Sequence, residues 1–308
     1  MNLPRLTAIA VLSAALPACS GSTQSLPSSV SAPGAVANSA GRTASTMDAW
    51  HHALVAEKLP AAGCFRATYP STQWNAIRCV AAPNKYFPVP KNAHPKLGQT
   101  VGDGNDFSID TTPNVVSTSI GTFPIVKGVT SERSGDGSDS YTLQLNSNFF
   151  QSAACGTLKN CAGWSQFAYS NPPGSGSGTL FIQDWLVALD SYFTSCPPNA
   201  GWENLGIGCV QNSPYAVELP NVNVTQLASV ALTGVAASTG DSIYMSVGND
   251  EYGMENVQGD GITDLSENWQ GSEFNIIGDG GGDEAFFNTG AKITVNIQAE
   301  DGVLTKPT

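Results

Sequence analysis

The run QGSEFNIIGDG, residues 270–280, places a glutamate in a segment that otherwise has the apolar composition of a buried strand. Phe274, Ile276 and Ile277 favour an apolar environment, whereas the Glu273 carboxylate does not. Burial raises the pKa of a carboxyl group, so a partly buried glutamate can donate as well as accept a proton in mildly acidic water. A glutamine amide nearby can donate a hydrogen bond to an oxyanion without titrating. Together, two such groups can activate a water molecule and stabilise a tetrahedral intermediate on a peptide carbonyl.

Four predicted strands carry amide, tryptophan or carboxylate side chains on one face, as the period-two alternation of a strand requires. The segments are YTLQLN, WSQFAY, LFIQDWLV and SEFNII. The side chains of this kind that share a face within each segment are Gln144 and Asn146, Trp164 and Gln166, Gln183 and Trp185, and Glu273 and Asn275. Side by side, these faces would line a polar, aromatic groove; apart, they would be the solvated outer faces of an ordinary sandwich. The groove is favoured, because Lys, Glu and Thr are the more common residues on faces that only contact water.

Other catalytic chemistries find little support in the sequence. The three histidines, His51, His52 and His94, all precede the region of short strands, which disfavours both a Ser-His-Asp hydrolase and a zinc site there. The chain has no phosphate-binding loop and no credible dinucleotide fingerprint. GDGGGDE at 278–284 carries acids that suit calcium, but it lacks a recognised calcium-loop spacing and is interpreted as an acidic turn. We therefore predict neither a metal nor a cofactor.

Composition and turn spacing predict an all-β protein. Charged residues make up 12% of the 308 residues, and the chain contains 32 Gly and 19 Pro. From about residue 96 onward, short strand-like segments alternate with Gly, Asn, Asp and Ser turns, which predicts a β-sandwich over residues 96–308. The formal net charge of −12 argues against a nucleic-acid partner, because binding to phosphates requires clustered Lys and Arg.

Residues 1–19 have the composition of an export signal. Arg5 supplies a positive charge ahead of the apolar run LTAIAVLSAAL, and LPAC then ends at Cys19 like a bacterial lipobox. Pro17 is unusual in a lipobox, so ordinary signal cleavage nearby is the alternative. A lipid on Cys19 would be the protein's only membrane attachment, and Ser20 after it favours the outer membrane. We expect a secreted or outer-membrane-anchored protein of a bacterial cell envelope.

Two further segments precede the predicted sandwich. Residues 20–46 are small, polar and unpatterned, and they predict a flexible linker. Residues 47–95 are interpreted as an N-terminal appendage, either a pro-segment or a clasp. Within them MDAWHHALVAEKLP predicts a short helix, with Asp48 near its start and Pro60 at its end.

Six cysteines remain after Cys19, an even number that indicates disulfides in an exported chain. Each cysteine has a partner nearby in the sequence. The pairs favoured among the 15 arrangements that six cysteines allow are Cys64–Cys79, Cys155–Cys161 and Cys196–Cys209.

The order of segments between residues 137 and 298 resembles the glutamic peptidases, namely the eqolisins and more loosely the neprosin-like proteins. The matching pieces are WSQFAYSN, GTLFIQDWLVAL, WQGSEFNIIGDG and EAFFNTGAKITVNI. The resemblance implies a concanavalin-like jelly-roll β-sandwich in which Gln166 and Glu273 form the catalytic pair and Trp185 lines the cleft. Gln183 and Gln144 are rivals for the catalytic glutamine. The sequence also resembles secreted bacterial and fungal proteins of no established function.

Two specific functional hypotheses follow, beside the unspecific alternative of a surface lipoprotein with a structural role. In the first, the protein is an acid-active glutamic endopeptidase with a polypeptide substrate, and Trp164, Gln183, Trp185, Gln144 and Asn275 bind that substrate. In the second, it is a non-catalytic carbohydrate- or cell-wall-binding jelly-roll module, in which tryptophans stack on the rings of a polysaccharide. The geometry of Gln166 and Glu273 separates them, because the side chains of a catalytic pair should face each other across adjacent strands within reach of a common water molecule. Side chains on opposite faces would exclude the peptidase.

Overall fold

Short antiparallel strands dominate the fold, as the turn-rich sequence predicts. The computed structural model describes residues 39–89, 95–100, 107–190, 192–198, 201–256, 260–280 and 283–303. The helices are α1 (Ser39–Glu57), α2 (Asp260–Thr263) and α3 (Leu265–Asn268), with 3-10 turns at Ala153–Cys155 and Val224–Ser229. The strands are β1 (Gly63–Thr68), β2 (Asn75–Ile77), β3 (Cys79–Val80), β4 (Phe107–Asp110), β5 (Thr118–Lys127), β6 (Glu132–Ser134), β7 (Gly137–Ser138), β8 (Tyr141–Ser147), β9 (Cys161–Asn171), β10 (Ser177–Ala188), β11 (Glu203–Asn204), β12 (Gly208–Asn212), β13 (Ala216–Pro220), β14 (Val230–Val235), β15 (Asp241–Val247), β16 (Asp250–Asn256), β17 (Gly271–Gly278), β18 (Phe286–Phe287) and β19 (Lys292–Glu300).

Two large sheets face each other. The A sheet has seven strands in the order β19-β5-β14-β15-β16-β1-β2. The B sheet has nine, in the order β11-β12-β10-β9-β8-β17-β4, with β13 paired to β10 and β3 paired to β13. A small third sheet has the order β18-β6-β7. Their inner faces share one hydrophobic core, to which Leu145, Phe167 and Ile182 contribute from the B sheet and Leu232 and Met245 from the A sheet. The predicted all-β sandwich is confirmed.

Two aromatic rings of the B sheet fill gaps opposite glycines of the A sheet. A Cβ atom on Gly234 would lie only 2.5 Å from Cδ2 of Phe167, and one on Gly121 would overlap the ring of Phe274. Any larger residue at these glycines would displace the rings. Because neighbouring residues of a strand point to opposite faces, Phe167 and Phe274 direct the preceding residues, Gln166 and Glu273, away from the core.

The N-terminal region is built into this sandwich. β1 pairs with β16 in the A sheet, and β3 pairs with β13 in the B sheet. The predicted helix is present and ends at Glu57, near Pro60, but it begins at Ser39, so residues 39–46 of the predicted linker are helical. Trp50 and Leu54 of this helix pack on Ala67, on the outer face of the A sheet. The predicted signal segment 1–19, its Cys19 and residues 20–38 lie outside the described residues.

All three predicted disulfides are confirmed. They join Cys64 to Cys79, Cys155 to Cys161 and Cys196 to Cys209, with Cα separations of 5.4, 5.9 and 5.7 Å. The first links β1 of the A sheet to β3 of the B sheet. Disulfides persist in oxidising compartments and therefore suggest a non-cytosolic protein. Within the described ranges, no helix combines the length and the apolar character needed to cross a membrane.

Candidate functional site

The two predicted catalytic residues lie on the outer face of the B sheet, the face turned away from the A sheet. They belong to one row that runs across five strands. In this row Glu273 of β17 lies opposite Asn146, Asn146 opposite Gln166, Gln166 opposite Gln183, and Gln183 opposite Asn212. Gln166 and Glu273 thus share a face and a register, but the prediction that they lie on adjacent strands is wrong. β8 runs between their strands and places their backbones roughly 10 Å apart.

Asn146 bridges the two predicted catalytic side chains. Nε2 of Gln166 donates to Oδ1 of Asn146 at 3.2 Å, and Nδ2 of Asn146 donates to Oε1 of Glu273 at 3.5 Å. The strand alternation of YTLQLN placed Asn146 on this face, yet no role was predicted for it. Only the strand order shows that it lies between Gln166 and Glu273.

Trp185 fixes the orientation of the Gln166 amide. Its indole Nε1 donates to Oε1 of Gln166 at 2.9 Å and to Oε1 of Gln183 at 3.0 Å. An indole N–H is a donor only, so the amide oxygen of Gln166 must face it. The NH₂ group of Gln166 therefore points the other way, toward Asn146 and the side of the row that carries Glu273.

A second pair of amides flanks Glu273. Asn275 lies opposite Gln144 on β8, and its Nδ2 donates to Oε1 of Glu273, while Oε1 of Gln144 accepts from Nε2 of Gln166 at 3.0 Å. Nε2 of Gln144 and Oδ1 of Asn275 are buried and form no hydrogen bond with any of the described residues. A buried polar atom without a partner costs about 1–3 kcal/mol. One donor and one acceptor of this kind match the complementary groups of a peptide bond.

The predicted tryptophans belong to the same face but are fully packed. The Trp164 ring lies 5.7 Å from Phe149 and 6.1 Å from Trp185, centroid to centroid. Each tryptophan exposes only 1% of its surface. All of the predicted site residues are buried, and Asn275 is the most exposed of them at 9%.

Residues 83–89, which we call the covering segment, lie over part of this face. Phe87 packs among Ala168, Phe181 and other small or aromatic side chains. Tyr86 and Val89 pack against the cluster that contains Trp164 and Trp185. The outer face of the B sheet is thus partly covered. It is neither the open groove that the sequence analysis favours nor the solvated surface that was its alternative.

The residues of β10 that alternate with Gln183 and Trp185 point into the interior, and one of them is an acid. Asp184 is completely buried and accepts a hydrogen bond from Oγ of Ser165 at 2.7 Å. Burial raises the pKa of Asp184 to about 7, and the hydrogen bonds from Ser165 and Thr263 partly oppose this shift. Burial likewise raises the pKa of Glu132 to about 7. Within the described ranges, no three His, Cys, Asp or Glu side chains are grouped in a way that could hold a metal ion.

A second polar cluster lies on the outer face of the A sheet, beneath α1. Nδ1 of His51 lies 2.5 Å from Oε2 of Glu251 and 2.9 Å from Oγ of Ser246. Oγ of Ser246 also donates to Oε2 of Glu251 at 2.5 Å. A Ser-His-acid relay needs serine on one ring nitrogen and the acid on the other. Here both meet the same nitrogen, so the cluster is a hydrogen-bonded network and not a nucleophile with its base.

No protein-family model matches the chain, and no curated protein matches it.

Proposed function

We propose that the protein is an exported glutamic endopeptidase that cleaves polypeptides in acid, built on a concanavalin-like jelly-roll sandwich. The observation that carries the proposal is the fixed orientation of Gln166. Trp185 holds its amide oxygen, so its NH₂ group is directed toward the side on which Glu273 lies. A donor and a carboxylate from two strands converge on the Asn146 side chain, and peptide hydrolysis requires both a donor for the oxyanion and a carboxylate for the attacking water.

In the proposed reaction the scissile peptide lies above Asn146, between the two strands that carry the pair. The Glu273 carboxylate takes a proton from a water molecule, whose oxygen attacks the carbonyl carbon. Gln166 Nε2 exchanges its hydrogen bond to Asn146 Oδ1 or to Gln144 Oε1 for one to the oxyanion as charge develops on it. Asn146 Nδ2, which has a second N–H beside the one given to Glu273, is the second donor. Protonated Glu273 then gives its proton to the leaving amine, the C–N bond breaks, and a carboxylic acid and an amine are released.

Substrate can reach the part of this face that lies beneath the covering segment only if that segment moves. Its side chains pack on Ala168, Phe181 and the tryptophan cluster, so it belongs to a closed state. The covering segment belongs to residues 47–95, which the sequence analysis interprets as either a pro-segment or a clasp. Export to a bacterial cell envelope and, if Cys19 is lipidated, attachment to the outer membrane belong to the same proposal.

The carbohydrate-binding alternative uses the same face differently. Stacking on sugar rings requires tryptophan faces that a ligand can reach, whereas Trp164 and Trp185 are packed against each other and under Tyr86 and Val89. Their burial favours the peptidase, in which Trp185 orients Gln166 and does not need to touch the substrate.

Hydrolysis of a denatured protein at about pH 3–5 tests the proposal. Each variant is made in the wild-type chain and also together with Phe87→Ala, a substitution intended to loosen the covering segment. Glu273→Gln should lower the rate by roughly 10²–10⁴-fold, because it removes the proton-transfer group. Gln166→Ala should lower it by about 10²–10³-fold through the lost oxyanion donor.

The matched control is Glu218→Gln, which neutralises an exposed glutamate of the same sheet and should leave the rate unchanged. Melting temperatures measured on the same samples separate loss of chemistry from loss of fold. Undiminished hydrolysis by Glu273→Gln would reject the assignment. So would the absence of hydrolysis from both the wild-type chain and Phe87→Ala.

A further inference from the structure

We propose that the outer face of the B sheet binds polypeptides that carry a basic residue followed, two positions later, by an aromatic one. An acidic subsite at Asp279 would take the basic side chain, an apolar subsite at Ala168 and Phe181 would take the aromatic ring, and Gln183 would bind the backbone between them. The inference rests on the proposed function in taking a polypeptide as the ligand of this face. It goes further by assigning subsites that no sequence motif indicates.

The backbone contact is made by a single side chain. Nε2 of Gln183 donates to the carbonyl oxygen of Lys85 at 2.9 Å, and Oε1 of Gln183 accepts from the backbone N–H of Phe87 at 2.8 Å. The Gln183 amide thus hydrogen-bonds to the carbonyl group before Tyr86 and to the N–H group after it. A residue of a parallel neighbouring strand forms the same pair of bonds. These bonds use only main-chain groups, so any extended peptide could form them.

Gln183 is held ready for this contact. Trp185 donates to its oxygen, and its Nε2 donates to Oδ1 of Asn212 at 2.6 Å. Nδ2 of Asn212 in turn donates to the carbonyl oxygen of Pro83 at 2.8 Å. The orientation of the amide is therefore set mainly by the sheet, and the covering segment meets a contact that is already oriented.

The acidic subsite holds the ammonium group of Lys85. Nζ of Lys85 contacts the buried carboxylate of Asp279 and lies 3.8 Å from Asp136. Asp279 is positioned by the hydroxyl groups of Thr142 and Ser170, at 2.8 and 2.7 Å. A carboxylate that is buried and already oriented selects a cationic side chain, because a neutral or acidic one would leave its charge without compensation.

The apolar subsite holds the ring of Phe87. Only 1% of this residue is exposed, and its ring lies 6.3 Å from that of Phe181, centroid to centroid. Ala168 and Ala216 complete the contact surface, and their small side chains leave room for an aromatic ring. Because the subsites hold residues two apart, they can be filled together by one extended peptide with side chains spaced as in a strand.

Binding of a peptide added to the full chain tests the inference. A fluorescent peptide with the sequence of residues 84–89, NKYFPV, is titrated against the variant Lys85→Ala/Phe87→Ala at about pH 7, with anisotropy as the readout. This variant should bind the peptide saturably, and at least about tenfold more tightly than the wild-type chain, whose own segment competes. Control peptides with Lys replaced by Glu or Phe replaced by Ser should bind at least about tenfold more weakly. Adding Asp279→Asn should weaken only the peptides that carry Lys.

Failure of the inference and failure of the peptidase proposal give different results. Equal binding of all three peptides, or no binding by a variant that melts as cooperatively as the wild type, would overturn the inference. If the double variant does not fold, Lys85→Ala alone is used, and the same ranking of peptides is required. Selective binding without hydrolysis would support these subsites and reject the peptidase. Hydrolysis with no preference for this pattern would support the peptidase and reject these subsites.

Discussion

The two outer faces of the sandwich each bury a glutamate, but the surroundings of the two acids differ. Under α1, Glu251 contacts His51 and Ser246, and all three side chains share one set of short hydrogen bonds. On the B sheet, Glu273 lies among amides that accept or donate in fixed directions, and Gln144 and Asn275 next to it each leave one polar atom unpartnered among the described residues.

The difference shows that burial of a carboxylate is weak evidence for function. A glutamate that is paired with a histidine and a hydroxyl has its bonding needs met inside the fold, and its natural role is to hold α1 on the A sheet. A glutamate surrounded by oriented but incompletely bonded amides sits in a site that a ligand would complete.

The largest contrast should come from the same substitution on the two faces. Glu273→Gln should abolish most hydrolysis while changing the unfolding free energy by no more than about 1 kcal/mol. Glu251→Gln should leave hydrolysis unchanged and cost about 1.5–3 kcal/mol, because it removes a charge-assisted hydrogen bond to His51. Chemical denaturation and activity are measured on both variants. The contrast fails if Glu251→Gln loses activity in the folded state or if Glu273→Gln is the less stable of the two.

Asp184, which lies on neither outer face, should make the unfolding free energy of the whole sandwich depend on pH. Its folded-state pKa of about 7 lies above the ordinary value of 3.8, so between these pH values the folded protein retains a proton that the unfolded chain releases. The unfolding free energy should therefore fall as the pH rises from about 4 to 7, by up to about 4 kcal/mol at 1.36 kcal/mol per unit. Asp184→Asn cannot ionise and should remove the part of the slope that Asp184 contributes.

Denaturant unfolding at several pH values between about 4 and 7 measures this slope. Glu132→Gln is the companion variant, because burial also raises the pKa of Glu132 to about 7 and adds to the same slope. A stability curve for Asp184→Asn with the full wild-type slope would contradict the prediction.

The smallest expected effect concerns the orientation of Gln166. Trp185→Phe keeps an aromatic ring but removes the indole N–H that holds the amide oxygen. One hydrogen bond contributes about 1 kcal/mol, so kcat should fall about fivefold to tenfold while KM changes little. Steady-state kinetics separate the two parameters, and Trp164→Phe, whose indole nitrogen has no partner among the described residues, is the matched control. Equal kcat values for Trp185→Phe and Trp164→Phe would contradict the orienting role of Trp185.

Strand alternation determined which residues share a face. The segments YTLQLN, WSQFAY, LFIQDWLV and SEFNII have the predicted alternation, because side chains of a strand must point to opposite sides in turn. The composition and turn spacing predicted the β-sandwich, and the short separations between cysteines predicted all three disulfides. These properties are local in the sequence, and local geometry is enough to set them.

The tertiary structure decided what lies beside and above each face. Strand order is set by long-range pairing, so no local pattern placed Asn146 between Gln166 and Glu273. The contact of His51 with Glu251 joins residues 200 positions apart, and that of Lys85 with Asp279 joins residues 194 apart. A covering segment is likewise invisible in the sequence, because its apolar residues could pack on any exposed surface of the sandwich. The chemistry of the face can thus be predicted from residue types, but its neighbours and its cover come from how the whole chain packs.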